Sequence, residues 1–252
     1  MLDREVFLRP IAHRGLHDAE KGRIENTGPA FAAAITKGYG IECDLRPAAG
    51  GLPIVFHDEV LDRLVEGSGP VASLTAESLA ALRYRGQDTP ILTFDGFLRL
   101  VAGRVPLLVE VKSEWDPPDR TFLGEIARLA SAYDGPLALM SFDPDQMRVL
   151  KELAPSIPRG IVSGGYKDEH GETWWRDKID DERAGRLAFL IEGMDCEPHF
   201  YAYHVKALPT AATELMRKVF GFPLFTWTVR TPEDRAIAAA WADAPIFEGF
   251  EP

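Results

Sequence analysis

Charge interrupts two strand-like runs of this chain where apolar residues would be expected. Side chains alternate across a strand with period two, so in IECDL (41–45) Ile41, Cys43 and Leu45 point one way and Glu42 and Asp44 the other. In LLVEVK (107–112) the same rule sets Leu108, Glu110 and Lys112 on one face, with Leu107, Val109 and Val111 opposite. Buried carboxylates without partners are costly, so Glu42, Asp44 and Glu110 need a cation or hydrogen-bond donors. Three oxygen ligands from neighbouring strands suit Mg²⁺, Ca²⁺ or Mn²⁺ better than zinc. A structural ion-pair cluster closed by Lys112 and Arg14 fits the spacing equally well.

Two histidines add to the metal reading. His13 ends a short strand (PIAH) and His57 ends another (IVFHD), each followed by a charged residue and a turn. A pair of histidines beside a cation can supply an acid and a base near neutral pH. Arg14, next to His13, offers a fixed positive charge for a phosphate oxygen.

Something must carry these groups to one place. Eight strand candidates run along the chain: PIAH (10–13), GIECDL (40–45), PLLVEVK (106–112), PLALMS (136–141), PRGIV (158–162), FYAYH (200–204), FPLFTWTV (222–229) and APIFEG (244–249). Most gaps hold one helix, some opened by a cap and proline, as at Asp143-Pro144 and Thr231-Pro232, and some closed by glycine, as at Gly38 and Gly221. Eight such units in 252 residues match an α/β fold of the (β/α)8 TIM barrel kind, with a doubly wound open sheet as the alternative. In such barrels the carboxyl ends of the strands carry the site, which would gather the histidines beside the carboxylates. The chain reads as a single domain over 1–252, with an insertion at about 46–95 that overhangs the barrel mouth and delivers His57. Residues 163–199, rich in glycine, charge and tryptophan, are expected to form a helix with irregular flanks. Trp174 and Trp175 would be buried by that helix.

Composition narrows the partners. With 39 acidic and 28 basic residues the net charge is −11, which disfavours broad capture of nucleic acid or anionic lipid. No window approaches the roughly 20 apolar residues of a membrane span. The start, MLDREVFLRP, has no apolar signal core, and two cysteines, Cys43 and Cys196, make no disulfide framework; a cytoplasmic location is expected.

The ordered set HRG (13–15), ENT (25–27), GIECDL (40–45), VFHDEVLDR (55–63), LLVEVK (107–112) and FTWTVRTPED (225–234) resembles the glycerophosphodiester phosphodiesterase family. The resemblance implies a TIM barrel with a small inserted subdomain and one divalent cation. It also implies hydrolysis of small glycerophosphodiesters to sn-glycerol 3-phosphate and an alcohol. Position by position, Glu42, Asp44 and Glu110 match the family's metal ligands, with Glu25 counted in the same cluster. His13 and His57 match its acid–base pair, Arg14 and Lys112 its phosphate contacts, and Trp227 the glycerol side of its pocket. The chain departs from the pattern at Ile24, where proline is usual, at the turn Ala48-Ala49-Gly50-Gly51, and in its tail, DAPIFEGFEP.

Three rivals share these features: a lyase that stops at a cyclic phosphate, a non-catalytic polyol-phosphate binding barrel, and a metal-dependent amide hydrolase. The last expects His-x-His on the first strand, where this chain has His13 and Gly15. The remaining histidines, His17, His170, His199 and His204, are expected to serve surface or packing roles, with His17 distinguished by its place in the loop after the first strand. Cys43 should face the helices as a core residue.

Overall fold

In the computed structural model, which describes residues 1–168 and 170–252, nine strands form one sheet. They are β1 (Ile11–Ala12), β2 (Gly40–Pro47), β3 (Pro53–Val55), β4 (Leu107–Val111), β5 (Leu137–Ser141), β6 (Arg159–Ser163), β7 (Phe200–His204), β8 (Leu224–Val229) and β9 (Ala244–Phe247). Seven of them pair in parallel from β2 round to β9, and β1 closes an eight-stranded ring by pairing with both β2 and β9. The closed ring is a (β/α)8 barrel, and the open-sheet alternative falls. The ninth strand, β3, runs antiparallel to β2 and belongs to the 46–95 segment.

Period-two alternation sorts the core into two layers. Ile41, Cys43, Leu45, Leu107, Val109 and Val111 face outward into the layer under the helices, as expected. Leu108, Met140, Val162, Phe200, Phe225 and Ile246 fill the barrel interior, joined by Leu2 and by Phe7 of the short helix Arg4–Phe7 that leads into β1. Space inside is rationed: a Cβ on Gly160 of β6 would overlap the Phe200 ring of β7. A further cluster, including Ile54, Phe56, Val65, Tyr84 and Ile91, lies within the 46–95 segment.

Two expectations need correction. Residues 94–95 are expected in the insertion and no element is expected over 96–101, yet together they form a helix, Phe94–Val101, capped by Thr93, whose hydroxyl accepts from the Gly96 N–H at 3.1 Å. Its buried residues, Phe94, Phe97, Leu98 and Val101, follow the helical repeat. The 163–199 stretch does hold a helix, Asp181–Ala188, but the two tryptophans lie in the turns before it, with Trp175 still 38% exposed. Among the described residues no helix is long and apolar enough to cross a membrane.

Gly160→Ala should therefore destabilise the barrel by about 1–3 kcal/mol, the usual cost of overpacking a filled core. Denaturant titration checks it, with Gly124→Ala, where a Cβ meets nothing within 4 Å, as the control expected to leave stability unharmed.

Candidate functional site

Residues that end or follow the strands at one mouth of the barrel build the site. The inward face of β1 continues from Ile11 to His13, whose backbone N–H donates to the Phe247 carbonyl at 2.9 Å. The chain then turns through Arg14, at φ 53°, and Gly15, at φ 78°. A Cβ on Gly15 would sit 2.9 Å from the Phe31 ring, so the turn demands glycine there. The turn also aims the Arg14 N–H at Glu42 Oε2, 2.9 Å away.

Register places Asp44 level with Glu110 on neighbouring strands, and Glu42 level with Leu108. One oxygen from each of Glu42, Asp44 and Glu110 lies within 4.8 Å of the others, and all three residues are buried. Lys112 Nζ bridges Asp44 Oδ1 at 2.8 Å and Glu110 Oε1 at 2.6 Å. Arg14 Nε lies 3.3 Å from Asp44 Oδ2, which also accepts from the Asn26 amide at 2.8 Å. Glu42 Oε1 is buried with no hydrogen-bond partner among the described residues. Burial pushes the Glu42 carboxyl well above its usual range, and the charges on Asp44 and Glu110 push the same way. Burial would raise Asp44 too, but Lys112 and Arg14 outweigh it and hold Asp44 well below its usual range. A closed ion-pair cluster would leave no such orphan oxygen. The donor set, three carboxylates with one oxygen unclaimed, fits a hard divalent cation. Glu25 stands outside that trio: Arg14 takes Oε1 at 2.8 Å, and Arg63 binds both oxygens at 2.7 and 3.0 Å.

Both predicted histidines arrive at this mouth, each tied to a carboxylate. His13 Nδ1 donates to Glu248 Oε2 at 2.5 Å, and its Nε2 lies 3.9 Å from Glu42 Oε2. His57 follows β3 by two residues, and its Nδ1 donates to Asp58 Oδ1 at 2.8 Å. A carboxylate can only accept, so each ring carries its proton on Nδ1 and leaves the Nε2 lone pair free of it. The acids are held ionised. At Asp58 burial pushes upward, but the bonds from Arg63 and His57 win and bring it to about 2. Glu248 is held well below its usual range against burial by His13, His17 and Arg230. Burial pushes both His13 and His57 below their ordinary value, and Arg14 adds to this in each case. Both shifts favour the neutral ring.

A cavity of about 480 Å³ opens over these groups. His13, Arg14, Glu42, His57, Glu110 and Lys112 form its polar floor, and Phe142, Trp174, Trp175 and Trp227 its aromatic wall. Phe142 sits 5.2 Å from both Trp175 and Trp227, ring centre to ring centre. Every predicted site residue except Glu25 and Asp44 lines this cavity, and Asp44 lies behind Lys112.

Sequence reasoning missed several contributors. Glu248 continues the inward face of β9 after Ala244 and Ile246, so the rule that picked out Glu42 and Asp44 would have found it. Asn26 sits in the quoted ENT motif but took no role there; at φ 56° it donates its backbone N–H to the Arg14 carbonyl at 2.9 Å. Arg63 clasps Glu25 and Asp58 together, a pairing no local pattern reveals. His17 is more than a surface residue, since its Nε2 lies 3.3 Å from Glu248 Oε2. His204 and His199 do pack, His204 4.8 Å from the Trp227 ring and His199 accepting from the Arg159 N–H at 3.2 Å.

A protein of Caldanaerobacter subterraneus named glycerophosphodiester phosphodiesterase is 27% identical over 239 residues, covering 89% of this chain and 86% of its own. A Mycobacterium tuberculosis protein named "Probable glycerophosphodiester phosphodiesterase 1" is 31% identical over 178 residues, covering 60% of this chain but only 63% of its own length. Among solved structures, an Oleispira antarctica phosphodiesterase in complex with the product sn-glycerol-3-phosphate superposes with a TM-score of 0.71 at 20% identity, covering 95% and 92% of the two chains. A glycerophosphodiester phosphodiesterase of Thermotoga maritima does so at 0.69 and 23%, covering 95% and 93%. These two likenesses establish a shared fold. The sequence profile described as the Glycerophosphoryl diester phosphodiesterase family matches residues 13–247, nearly the whole barrel, and the chain belongs to that family.

Proposed function

We propose that this chain is a metal-assisted phosphodiesterase that hydrolyses glycerophosphodiesters to sn-glycerol 3-phosphate and an alcohol. One observation carries the reading: a buried trio of carboxylates with an unclaimed oxygen on Glu42 lies beside two neutral imidazoles, each anchored through Nδ1. The sn-glycerol-3-phosphate in the Oleispira protein supports the same product here.

Glu42, Asp44 and Glu110 would hold one divalent cation, Mg²⁺ or Ca²⁺, with Mn²⁺ also suited. Such an ion neutralises charge that builds on phosphate oxygens. Arg14 and Lys112 add fixed positive charge at the same floor, and Trp227 offers an apolar face to the glycerol carbons. His13, the deeper ring, accepts a proton on Nε2 from the attacking hydroxyl, either water or the glycerol 2-hydroxyl. His57 is the more open, its side chain 31% exposed against 12%, and donates to the departing alcohol. The His57 proton must come from solvent or substrate, since its resting form is neutral. We assign the 46–95 segment as an inserted unit bordering the leaving-group side, because it carries His57 and Asp58. Both cysteines are free and buried, which suits a cytoplasmic setting.

Chelation should abolish activity, and Mg²⁺, Mn²⁺ or Ca²⁺ should restore it, with elemental analysis checking that the stripped protein is metal-free. Glu42→Gln and Asp44→Asn should keep the circular-dichroism spectrum but lower kcat by about 10²- to 10³-fold, the scale of losing one charge contact to the transition state. Wild-type turnover in either variant would remove that residue from the ligand set.

Leaving-group chemistry separates the histidines. Each alanine variant should lose about 10²- to 10⁴-fold on glycerophosphocholine. A nitrophenyl phosphodiester leaves well without a proton, so His57→Ala should recover most of its loss there and His13→Ala should not. The opposite pattern would exchange their roles.

The pH profile follows from burial. A base must be neutral to accept a proton, and a lowered pKa keeps it neutral to more acid pH. The acid limb of kcat/KM should thus fall below pH 6.5; a midpoint at or above 6.5 would contradict a buried base.

A further inference from the structure

A second group of metal-ligating side chains lies next to the carboxylate trio and differs from it in chemistry. His13, His17 and Glu248 bring one donor atom each to within 4.8 Å of one another. His13 Nδ1 is 2.5 Å and His17 Nε2 3.3 Å from the same oxygen, Glu248 Oε2. They come from the end of β1, the loop after it and the end of β9, so three separate stretches of chain fix the arrangement. Two imidazoles and one carboxylate are the donor set of zinc and its neighbours in the transition series, whereas Mg²⁺ and Ca²⁺ prefer oxygen alone. Zinc bonds of about 2.0–2.1 Å place tetrahedral ligand atoms about 3.3 Å apart; the His17–Glu248 pair already has that separation, and the His13–Glu248 pair would open from 2.5 Å as the shared proton leaves. Access is separate too: His17 and Glu248 line a second cavity, about 550 Å³, bounded by residues 15–23 and 247–251, while His13 lines the substrate cavity.

We propose that His13 Nδ1, His17 Nε2 and Glu248 Oε2 form an inhibitory site for Zn²⁺ or a similar transition-metal ion, distinct from the hard-cation site. The fourth position would take water from the second cavity. The proton balance explains the inhibition. His13 now holds its proton on Nδ1, shared with Glu248. An ion bonded to that nitrogen displaces the proton, and the neutral ring keeps its charge by carrying a proton on Nε2. His17 shifts in the opposite sense, from Nε2–H to Nδ1–H. No net proton is lost, but the nitrogen of His13 that faces the substrate cavity changes from acceptor to donor. A ring in that tautomer cannot take a proton from a nucleophile. Arg230 Nε, 2.5 Å from the other oxygen of Glu248, opposes a cation and should make binding weaker than at a structural zinc site. Binding rests only on this geometry; the inhibition rests also on the base role proposed for His13.

The test uses the full chain with its hard-cation site saturated by Mg²⁺. Co²⁺ alone serves as a spectroscopic probe, and Zn²⁺ alone as the inhibitor. Wild type should bind one Co²⁺ per chain with the visible absorption of a nitrogen-ligated, four- or five-coordinate ion, and Zn²⁺ should displace it. Zn²⁺ should also inhibit hydrolysis without releasing Mg²⁺. His17→Ala should lose the Co²⁺ band and, with inhibition normalised to its own activity in Mg²⁺, need at least tenfold more Zn²⁺ for half-inhibition. His17→Gln, which retains a donor for Glu248 but no imidazole, should behave likewise. Equal Zn²⁺ inhibition in wild type and both variants, or release of Mg²⁺ as Zn²⁺ binds, would overturn the site by tracing inhibition to the carboxylates. A normal Co²⁺ spectrum lost in His17→Ala, with no inhibition in the wild type, would keep the site and overturn the base role of His13.

Discussion

Glu42, Asp44 and Glu110 crowd like charge into a barrel interior that the rest of the chain fills with leucine, phenylalanine and methionine. Left alone, each buried carboxylate would cost several kcal/mol to desolvate, and their mutual repulsion would add to it. Much of the surrounding structure answers that cost. Lys112 spans Asp44 and Glu110, the turn after β1 aims the Arg14 N–H at Glu42 and its guanidinium at Asp44, and the turn through Asn26 brings an amide to Asp44 as well. The positive φ values at Arg14 and Asn26 are the local expense of aiming those donors. What these neutralise is incomplete: two cations face three acids, and one oxygen is left over.

A second ring of charge surrounds the first and works differently. Glu25, Asp58 and Glu248 do not enter the trio; they hold the groups that do the contacting. Glu25 and Asp58 share Arg63, which ties the loop after β1 to the 46–95 segment, and Asp58 holds His57. Glu248 draws His13, His17 and Arg230 to one carboxylate. Because each of these acids is strongly ionised, the imidazoles they touch keep a fixed tautomer.

The barrel was legible because its strands are buried on both faces and end in polar residues, so period two exposed Glu42, Asp44 and Glu110 as inward. The same rule failed to flag Glu248 only because it was applied to strands with two charges and not to the last, where a single glutamate follows Phe247. The helix Phe94–Val101 was hidden by its position behind the long 46–95 stretch, although its apolar repeat is regular. Trp174 and Trp175 misled for a physical reason. Large aromatics usually mark a buried helix face, but here they stack with Phe142 and Trp227 to wall a cavity, which needs convergence from β5, β8 and an irregular turn. Pairings such as Arg63 with Glu25 join segments 38 positions apart, beyond anything local spacing encodes.

The bond between His13 and Glu248 spans 235 positions, from the first strand of the barrel to the residue after its last. Ring closure at β1 and β9 is what brings them together. During synthesis the first strand therefore emerges long before its anchor exists, and every intermediate lacking β9 carries a His13 free to rotate. Such long-range pairing is late and slow to form. With His13 in the role proposed above, onset of turnover in a refolding sample would report the completion of the whole ring rather than the collapse of any part of it.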